Sequence, residues 1–179
     1  MKLLLAAATT TTILAGWSDG LRWNGTPSMP VGLWRLQAME APVQRGEIVA
    51  LCLPEATARF GRERGYLDGG ACPGGTEVLI KPVAAVPGDR VGIAGDGISV
   101  NGKPVSNSRP LSRDEAGRQL TAQPSGTRTV APGEVWIISG HDPRSYDSRY
   151  YGPVDATGIR GVALPVLTIP LENYNRASQ

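Results

Sequence analysis

The sequence predicts a mainly β fold, organised as one antiparallel, coiled β-domain. Glycine and proline account for 23 and 15 of the 179 residues, about a fifth of the chain, and this favours turns and short strands over long helices. Short runs of alternating apolar residues recur along the chain, and Asp96-Gly97 and Asn101-Gly102 are dipeptides typical of tight hairpin turns. A chain of this length buries about two thirds of its unfolded surface as a single domain, and the sequence contains neither repeats nor an interdomain linker.

The chain begins with a short apolar segment. Lys2 is followed by fourteen uncharged residues, LLLAAATTTTILAG. They match the apolar part of an export signal and are fewer than the roughly 20 residues that span a bilayer. Four consecutive threonines are unfavourable for the alternative, a buried N-terminal helix. We therefore expect residues 1–17 to be a signal peptide or a short membrane anchor, and residues 18–179 to form the folded domain.

Five further segments carry strand or hairpin patterns. In order they are GEIVALCL (46–53), TEVLIKPVAAV (76–86), the hairpin RVGIAGDGISVNGKPV (90–105), GEVWIISG (133–140) and IRGVALPVLTIP (159–170). Residues 56–75 are polar and glycine-rich, which predicts an exposed excursion, and residues 106–131 form a polar stretch.

Charge and cysteine content exclude several classes of function. The net charge of +2 comes from scattered residues with no basic run, so the sequence does not support nucleic-acid binding. Cys52 and Cys72 lie 20 residues apart around the glycine-rich excursion. In an exported protein such a pair fits a disulfide, the alternative being two unpaired buried cysteines. Two thiols without a nearby histidine make an incomplete zinc site, so we expect neither a metal nor a cofactor.

Ser28 is a candidate nucleophile. It lies between Pro27 and Pro30 in the stretch NGTPSMPVGLWR, and the two prolines restrict the backbone that carries its hydroxyl. A serine nucleophile needs a base to take its proton. The single histidine, His141, is adjacent to Asp142, but neighbouring side chains on an extended segment point to opposite faces. We therefore expect His141 to be a surface or turn residue.

Lysine can also serve as the base when burial lowers its pKa toward neutrality. Of the three lysines, Lys2 belongs to the apolar N-terminal segment, Lys103 lies in a turn, and Lys81 alone is flanked by apolar residues, in VLIKPVAAV. From this pattern alone, Lys81 could also be a strand lysine that points to solvent, and Ser28 could be an ordinary turn serine.

Three segments resemble, in order and spacing, the serine, lysine and C-terminal boxes of type I signal peptidases. They are SMPVGLWR (28–35), IKPVAAVPGDRV (80–91) and SYDSRYYGPVDATGIRGVALPV (145–166). The absence of a residue between Met29 and Pro30, and the insertion RGYLDGGACPGG, resemble more closely the conjugative-transfer branch of that family, called TraF. The resemblance covers most of residues 24–169. It implies a signal-peptidase-like antiparallel β-sheet or barrel with a small cysteine-bounded insertion.

The resemblance also implies roles for individual residues. Ser28 is the expected nucleophile and Lys81 the expected general base. The side chain of Thr26 and the backbone N–H of Ser28 are expected to bind the oxyanion, since Pro27 has no N–H to offer. From the sequence alone, Thr26 could equally be a plain loop threonine.

The box SYDSR implies support for the lysine. Ser145 is expected to hydrogen-bond the amine of Lys81, and Asp147 to pair with Arg149 beneath the site while orienting Ser145. The alternative for Asp147 and Arg149 is an exposed turn pair. The chain departs from the family in GHDPR (140–144), which is one residue shorter before the serine, and in Pro82, which removes a backbone donor and predicts an edge strand that could accept an extended substrate.

These features favour a serine endopeptidase of the Ser-Lys type in the periplasm, at the outer face of the cytoplasmic membrane. The TraF resemblance implies that its substrate is a conjugative pilin precursor, which is cut or cyclised. One alternative is a general type I signal peptidase that acts on other exported preproteins. A second is an inactive periplasmic β-domain that acts as a pilus assembly factor. The expected partners are the precursor and the membrane surface, without nucleic acid, and the oligomeric state is not predicted.

Overall fold

The computed structural model describes residues 20–169, which form a mainly β domain with two antiparallel sheets, so the predicted fold class is confirmed. The strands of the larger sheet are Leu21–Asn24 (β1), Val31–Gln37 (β2), Ile48–Leu51 (β3), Leu79–Ala85 (β5), Glu134–Ile137 (β10), Val154–Asp155 (β11) and Ile159–Ile169 (β12). The strands of the smaller sheet are Arg90–Ala94 (β6), Gly97–Val100 (β7), Lys103–Pro104 (β8) and Gly126–Thr129 (β9). A short strand, Gly69–Cys72 (β4), and two helices, Glu55–Glu63 (α1) and Ser148–Tyr151 (α2), lie in the connections.

The strand order brings distant parts of the chain together. The larger sheet runs β1-β2-β12-β3-β5-β10-β11, and the smaller runs β8-β7-β6-β9. The long strand β12 therefore lies between β2 and β3, where Val162 is opposite Gln37 on one side and Val49 on the other. This pairing fixes the β1–β2 connection, which carries Ser28, to the rest of the sheet.

The apolar segments predicted as strands contain β3, β5, β6, β7, β10 and β12. The predicted hairpin forms, but Ala94 lies opposite Gly97, so the first turn is Gly95-Asp96, one residue before the predicted Asp96-Gly97. The second turn is Asn101-Gly102 as expected, with Val100 opposite Lys103. Asn101 adopts a φ of 50° in that turn, a conformation that asparagine tolerates well.

Three clusters of buried side chains form the core. The first packs β3, β5 and β10 against α1, through residues such as Leu51, Val83 and Ile137. The second lies beneath the smaller sheet around Trp136, and the third surrounds Met29 and Trp34. Successive β5 residues belong to different clusters, Leu79 and Val83 to the first and Ile80 to the third, because strand side chains alternate between faces. Lys81 therefore shares the face of Leu79 and Val83.

The cysteine-bounded insertion is confirmed, but its interior is more ordered than the sequence suggested. Cys52 and Cys72 form a disulfide, with their Cα atoms 5.5 Å apart. The segment predicted as an exposed excursion contains the nine-residue helix α1, which buries Ala58 and Gly61. An added Cβ at Gly61 would lie 2.7 Å from Leu67 Cδ1 and 2.9 Å from Tyr146 Cε1, so only glycine allows this close approach.

The polar stretch 106–131 also contains structure that its composition did not indicate. Its residues Gly126–Thr129 form β9, which pairs with β6 at the edge of the smaller sheet. Upstream, residues 113–119 fold back on themselves, with Arg113 bridged to Gln119. This segment, hereafter the 113–119 loop, lies against the insertion, where Arg118 donates to the Arg64 carbonyl.

The prediction that β5 is an edge strand is only half right. Residues 79–82 pair with β3 on one side, and residues 83 and 85 pair with β10 on the other. The strand is therefore interior at its C-terminal end and unpaired on one side over residues 79–82. The backbone N–H of Val83 donates to Glu47 at 2.8 Å. Hydrogen-bonded pairs alternate along an antiparallel ladder. The backbone N–H and C=O of Lys81 therefore point toward β3, and those of Ile80 and the C=O of Pro82 point to the open side. The missing N–H of Pro82 thus costs no bond to β3.

Neither helix in the part of the chain that the structure describes is long and apolar enough to cross a membrane. The segment 1–17 lies outside the described residues, and its assignment as signal peptide or anchor stays a prediction.

Candidate active site

The loop between β1 and β2 holds Ser28 in a fixed, buried position. The side chain of Asn24, at the end of β1, donates from Nδ2 to the carbonyl oxygens of Thr26, Met29 and Pro30 at 2.9, 3.0 and 3.1 Å. Ser28 is 5% exposed. One amide side chain therefore fixes three of the carbonyl groups that surround the serine.

The hydroxyl of Ser28 lies beside that of Thr26. The two oxygens are 3.0 Å apart, and Thr26 Oγ1 also lies 3.2 Å from Asn24 Oδ1. Among the described residues, the backbone N–H of Ser28 has no hydrogen-bond partner. The expected oxyanion groups, the Thr26 hydroxyl and this N–H, are thus both next to the Ser28 hydroxyl.

Lys81 is buried in the wall of the larger sheet, as its apolar neighbours suggested. Its residue is 4% exposed, and its Nζ donates to Ser145 Oγ at 3.1 Å. Burial lowers the pKa of Lys81 from 10.5 to about 8, because the charged form loses its hydration. The carboxylates of Asp147 and Asp142 act in the opposite direction and raise the pKa, whereas Arg149 lowers it. A substantial fraction of neutral amine is therefore available near pH 7 to 8.

Asp147 and Arg149 form a fully buried ion pair beneath the lysine. Two bonds join the side chains, from Arg149 Nε to Asp147 Oδ1 at 2.8 Å and from Nη2 to Oδ2 at 2.9 Å. Asp147 also caps α2 by accepting the Arg149 backbone N–H at 3.2 Å. The remaining guanidinium protons bond the carbonyls of Asn107, Pro143 and Ser139. The expected pairing is present, and the exposed turn pair is excluded by the zero exposure of both side chains.

The described structure has no hydrogen bond between Asp147 and Ser145, the serine that this carboxylate was expected to orient. The second carboxylate oxygen of Asp147 instead accepts the backbone N–H of Ser139 at 3.0 Å. Ser145 is held through its own backbone N–H, which donates to the Asp142 carbonyl at 3.1 Å. The shorter GHDPR segment folds as a turn, and this turn, rather than the carboxylate, directs Ser145 toward Lys81.

Ser28 and Lys81 line one cleft of about 490 Å³. No hydrogen bond joins their side chains in the described structure: the serine hydroxyl faces Thr26, and the amine bonds Ser145. The cleft thus contains an alcohol, a largely dehydrated amine, the unbonded Ser28 N–H and a threonine hydroxyl that now donates to Asn24 Oδ1. These are the groups required for acyl transfer.

Two adjoining segments form walls of this cleft. The insertion contributes Arg64 and Tyr66, and the 113–119 loop contributes Asp114 and Arg118. The walls are joined because Tyr66 Oη donates to Asp114, and Arg118 Nη2 donates to the Arg64 carbonyl at 2.7 Å. Arg118 Nε also donates to Asp114 at 2.7 Å. These contacts hold the insertion and the loop together over the cleft.

The remaining residues considered as catalytic or metal-binding candidates take no part in the site. His141 is exposed, and within the described residues its ring forms no hydrogen bond, as expected for a turn residue. Cys52 and Cys72 are joined to each other and are not available as metal ligands.

Sequence reasoning missed two residues that shape the site, Asn24 and Ser139. Asn24 holds the loop of Ser28, and the hydroxyl of Ser139 donates to the carbonyl of Ser28 itself. Both bind backbone carbonyls, which leave no trace in a sequence pattern. The sequence signal was weak: Asn24 is the last residue of a short strand, and Ser139 is a polar residue after an apolar one.

Comparison with known proteins gives concordant results. A model of the signal peptidase family, peptidase S26, matches residues 1–167. A probable conjugal transfer protein TraF of Sinorhizobium fredii is 44% identical over 172 residues, covering 93% of this chain and 89% of that protein. The conjugal transfer protein TraF of Agrobacterium fabrum is 43% identical over 168 residues, covering 93% and 90%. The crystal structure of a signal peptidase I from Enterococcus faecalis matches with 22% identity and a TM-score of 0.39, covering 70% of this chain and 98% of that chain.

Proposed function

This chain belongs to the signal peptidase family, peptidase S26, and from that membership we propose that it is a Ser-Lys serine endopeptidase that matures a conjugative pilin precursor. The observation that carries the proposal is the buried Lys81, whose pKa is lowered to about 8 and whose amine shares a cleft with Ser28. A structural lysine would gain nothing from this position, because burying a charged amine costs free energy.

In the proposed reaction, neutral Lys81 takes the proton of Ser28 Oγ as that oxygen attacks the scissile carbonyl carbon. The backbone N–H of Ser28 and the hydroxyl of Thr26 stabilise the oxyanion. The Lys81 ammonium then gives its proton to the leaving amine, and an acyl-enzyme ester remains on Ser28. Catalytic hydrogen bonds often tighten only when substrate binds, so the step requires the Ser28 hydroxyl to turn from Thr26 toward the amine.

The open side of β5 supports binding of an extended substrate. Over residues 79–82 the strand has no partner on this side, and Ile80 offers both a backbone donor and an acceptor there. A peptide that adds a strand at this position lies along the cleft wall that carries Lys81. We propose that a small side chain, alanine in the simplest case, precedes the cleaved bond.

The substrate proposal comes from the relatives. Proteins more than 40% identical over nearly the whole chain are described as conjugal transfer proteins. A pilin precursor is the exported polypeptide that such a system has to process. Ring closure would follow if the precursor's own amino terminus, rather than water, attacked the acyl-enzyme, because a tethered amine has a high effective concentration.

An exposed apolar surface supports placement at the membrane, on its periplasmic face. Trp23 on β1 lies opposite Leu33 on β2, which lies opposite Leu167 on β12. Trp23 is 65% and Leu167 75% exposed, and Leu164, Val166 and Ile169 on β12 are also exposed. Partners opposite each other in a sheet share a face, and tryptophan with aliphatic side chains is typical of contact with the membrane interface. The disulfide agrees with an oxidising compartment.

The proposal is tested by processing of a conjugative pilin precursor, using the full chain in membranes. Ser28→Ala and Lys81→Ala should each abolish cleavage, whereas Lys103→Ala, which removes an exposed lysine of β8, should leave it unchanged. Mass spectrometry of the product distinguishes a cut linear chain from a ring, which is lighter by one water. Cleavage that persists in both active-site variants would eliminate the peptidase and leave the assembly-factor alternative.

A further inference from the structure

We infer that Ser139 is a positioning residue that connects the nucleophile to the buried Asp147–Arg149 pair. This inference rests on the proposed function, because it assigns a role to Ser139 only if Ser28 is the nucleophile. Ser139 follows β10, and its residue is fully buried. Its hydroxyl donates to the carbonyl oxygen of Ser28, a residue 111 positions away in the sequence.

The three polar groups of Ser139 all bond to site residues or their turn. Its hydroxyl bonds Ser28, its backbone N–H donates to Asp147 Oδ2 at 3.0 Å, and its carbonyl accepts from Arg149 Nη2 at 2.9 Å. The hydroxyl oxygen in turn accepts the backbone N–H of His141 at 3.2 Å, which fixes the direction of its proton. Ser139 therefore joins the ion pair to the nucleophile through one residue.

The contact completes the fixation of the Ser28 loop. Asn24 holds the carbonyls of Thr26, Met29 and Pro30, but not that of Ser28. The Ser28 carbonyl is held by Ser139 alone among the described side chains. A peptide group fixed on the C-terminal side of Ser28 limits rotation about its backbone, and so keeps Oγ and the oxyanion N–H aimed into the cleft.

The substitution Ser139→Ala separates the role of the hydroxyl from the roles of the backbone N–H and carbonyl of Ser139. It removes the hydroxyl and keeps the backbone N–H and carbonyl, so the bonds to Asp147 and Arg149 remain available. Ser108→Ala is the matched control: Ser108 is also a buried serine whose hydroxyl bonds backbone groups, but these belong to Ile98 of β7 and to Val105 rather than to the Ser28 loop.

The experiment measures kcat and KM for cleavage of the pilin precursor per folded molecule, with the folded fraction taken from circular dichroism. Ser139→Ala should lower kcat about tenfold or more, with KM and the pH midpoint of kcat/KM unchanged, because neither the substrate groove nor Lys81 is altered. Ser139→Thr, which keeps the donor, should recover most of kcat. Ser108→Ala should have wild-type kcat.

Three outcomes would overturn the inference: a wild-type kcat in folded Ser139→Ala, an equal loss in Ser108→Ala, or a loss that Ser139→Thr does not reduce. If Ser139→Ala does not fold, Ser139→Cys, which has a weaker donor, is used in its place. A wild-type kcat in folded Ser139→Cys would also overturn the inference. Failure of the proposed function gives a different result. In that case the single variant Ser28→Ala, with Ser139 unchanged, would still cleave the precursor.

Discussion

Lys81 Nζ lies 3.1 Å from Ser145 Oγ and donates a hydrogen bond to it, although the two residues are 64 positions apart in the chain. Both residues are buried, with Lys81 4% and Ser145 3% exposed. The partner of Lys81 in the proposed reaction, Ser28, opens onto the same cleft. The direction and the protonation state of this amine determine whether Lys81 can act as the base for Ser28.

The activity should depend on pH through Lys81. Only the neutral amine accepts a proton, so kcat/KM should rise with pH through a midpoint near 8 and level off above it. Asp142→Asn should move the midpoint to lower pH, because the Asp142 carboxylate raises the pKa of Lys81. Asp96→Asn, in the exposed turn between β6 and β7, is the control and should leave the midpoint in place. A pH-independent rate between 6 and 9 would contradict a lysine base.

Ser145→Ala should slow the reaction without abolishing it. The substitution removes the acceptor that directs the amine, and the loss of one hydrogen bond to a charged or ionisable group corresponds to a decrease in kcat of roughly tenfold to a hundredfold. Steady-state kinetics on the precursor measures the effect. The matched control is Ser112→Ala, at an exposed position at the edge of the 113–119 loop. Unchanged kcat in Ser145→Ala would show that the bond has no catalytic part.

Lys81→Met should inactivate the protein and stabilise its fold. Between pH 8 and 10.5 the unfolded chain binds more protons than the folded one, so wild-type stability rises with pH across this window, and below it the buried charge destabilises the fold. The lowered pKa corresponds to about 3 kcal/mol, and the lost bond to Ser145 costs about 1 kcal/mol. Lys81→Met should therefore be about 2 kcal/mol more stable than wild type at pH 7.

Urea denaturation at pH 7 and at pH 10.5 checks this. The advantage of Lys81→Met should be present at the lower pH and absent at the higher. Lys103→Met, at an exposed position, should match wild type at both. A destabilised Lys81→Met at pH 7 would mean that the lysine contributes to the fold rather than opposing it.

Asp147→Asn should be strongly destabilising. It leaves Arg149 buried without its counter-charge, and breaking a buried pair by removing one partner costs about 3–5 kcal/mol. Chemical denaturation measures the loss. Glu55→Gln breaks the exposed pair with Arg59 and should change stability within experimental error. Equal small effects in both variants would show that the Asp147–Arg149 pair is not a structural element of the site.

Local pattern was sufficient to predict much of the fold and insufficient for the parts that depend on distant contacts. The apolar alternation of β5 and β12 is visible within each segment, so both strands were predicted. The helix α1 was missed because it shows the core only Ala58 and Gly61, and its charged, glycine-containing sequence resembles a loop. The strand β9 was missed because all four of its residues are exposed at a sheet edge.

The candidate site also contains residues that the sequence predicted and residues that it did not. Ser28, Lys81 and Ser145 were predicted from residue type, environment and family resemblance, and the structure places their side chains around one cleft. Asn24 and Ser139 were not predicted, since each binds backbone carbonyls that any sequence could supply. Asp147 pairs with Arg149 as expected, but no hydrogen bond joins it to Ser145 in the described structure, because its carboxylate bonds Arg149 and the Ser139 N–H.

The disulfide divides the molecule into two parts with different freedom to vary. The covalent ring from Cys52 to Cys72 encloses α1 and Tyr66, which line or support one wall of the cleft, whereas Ser28, Lys81, Ser145 and Asp147 all lie outside it. Evolution can therefore lengthen, shorten or exchange the enclosed segment while its two ends stay anchored. In the proposed peptidase, such changes would alter which precursors fit the cleft and leave Ser28 and Lys81 in place.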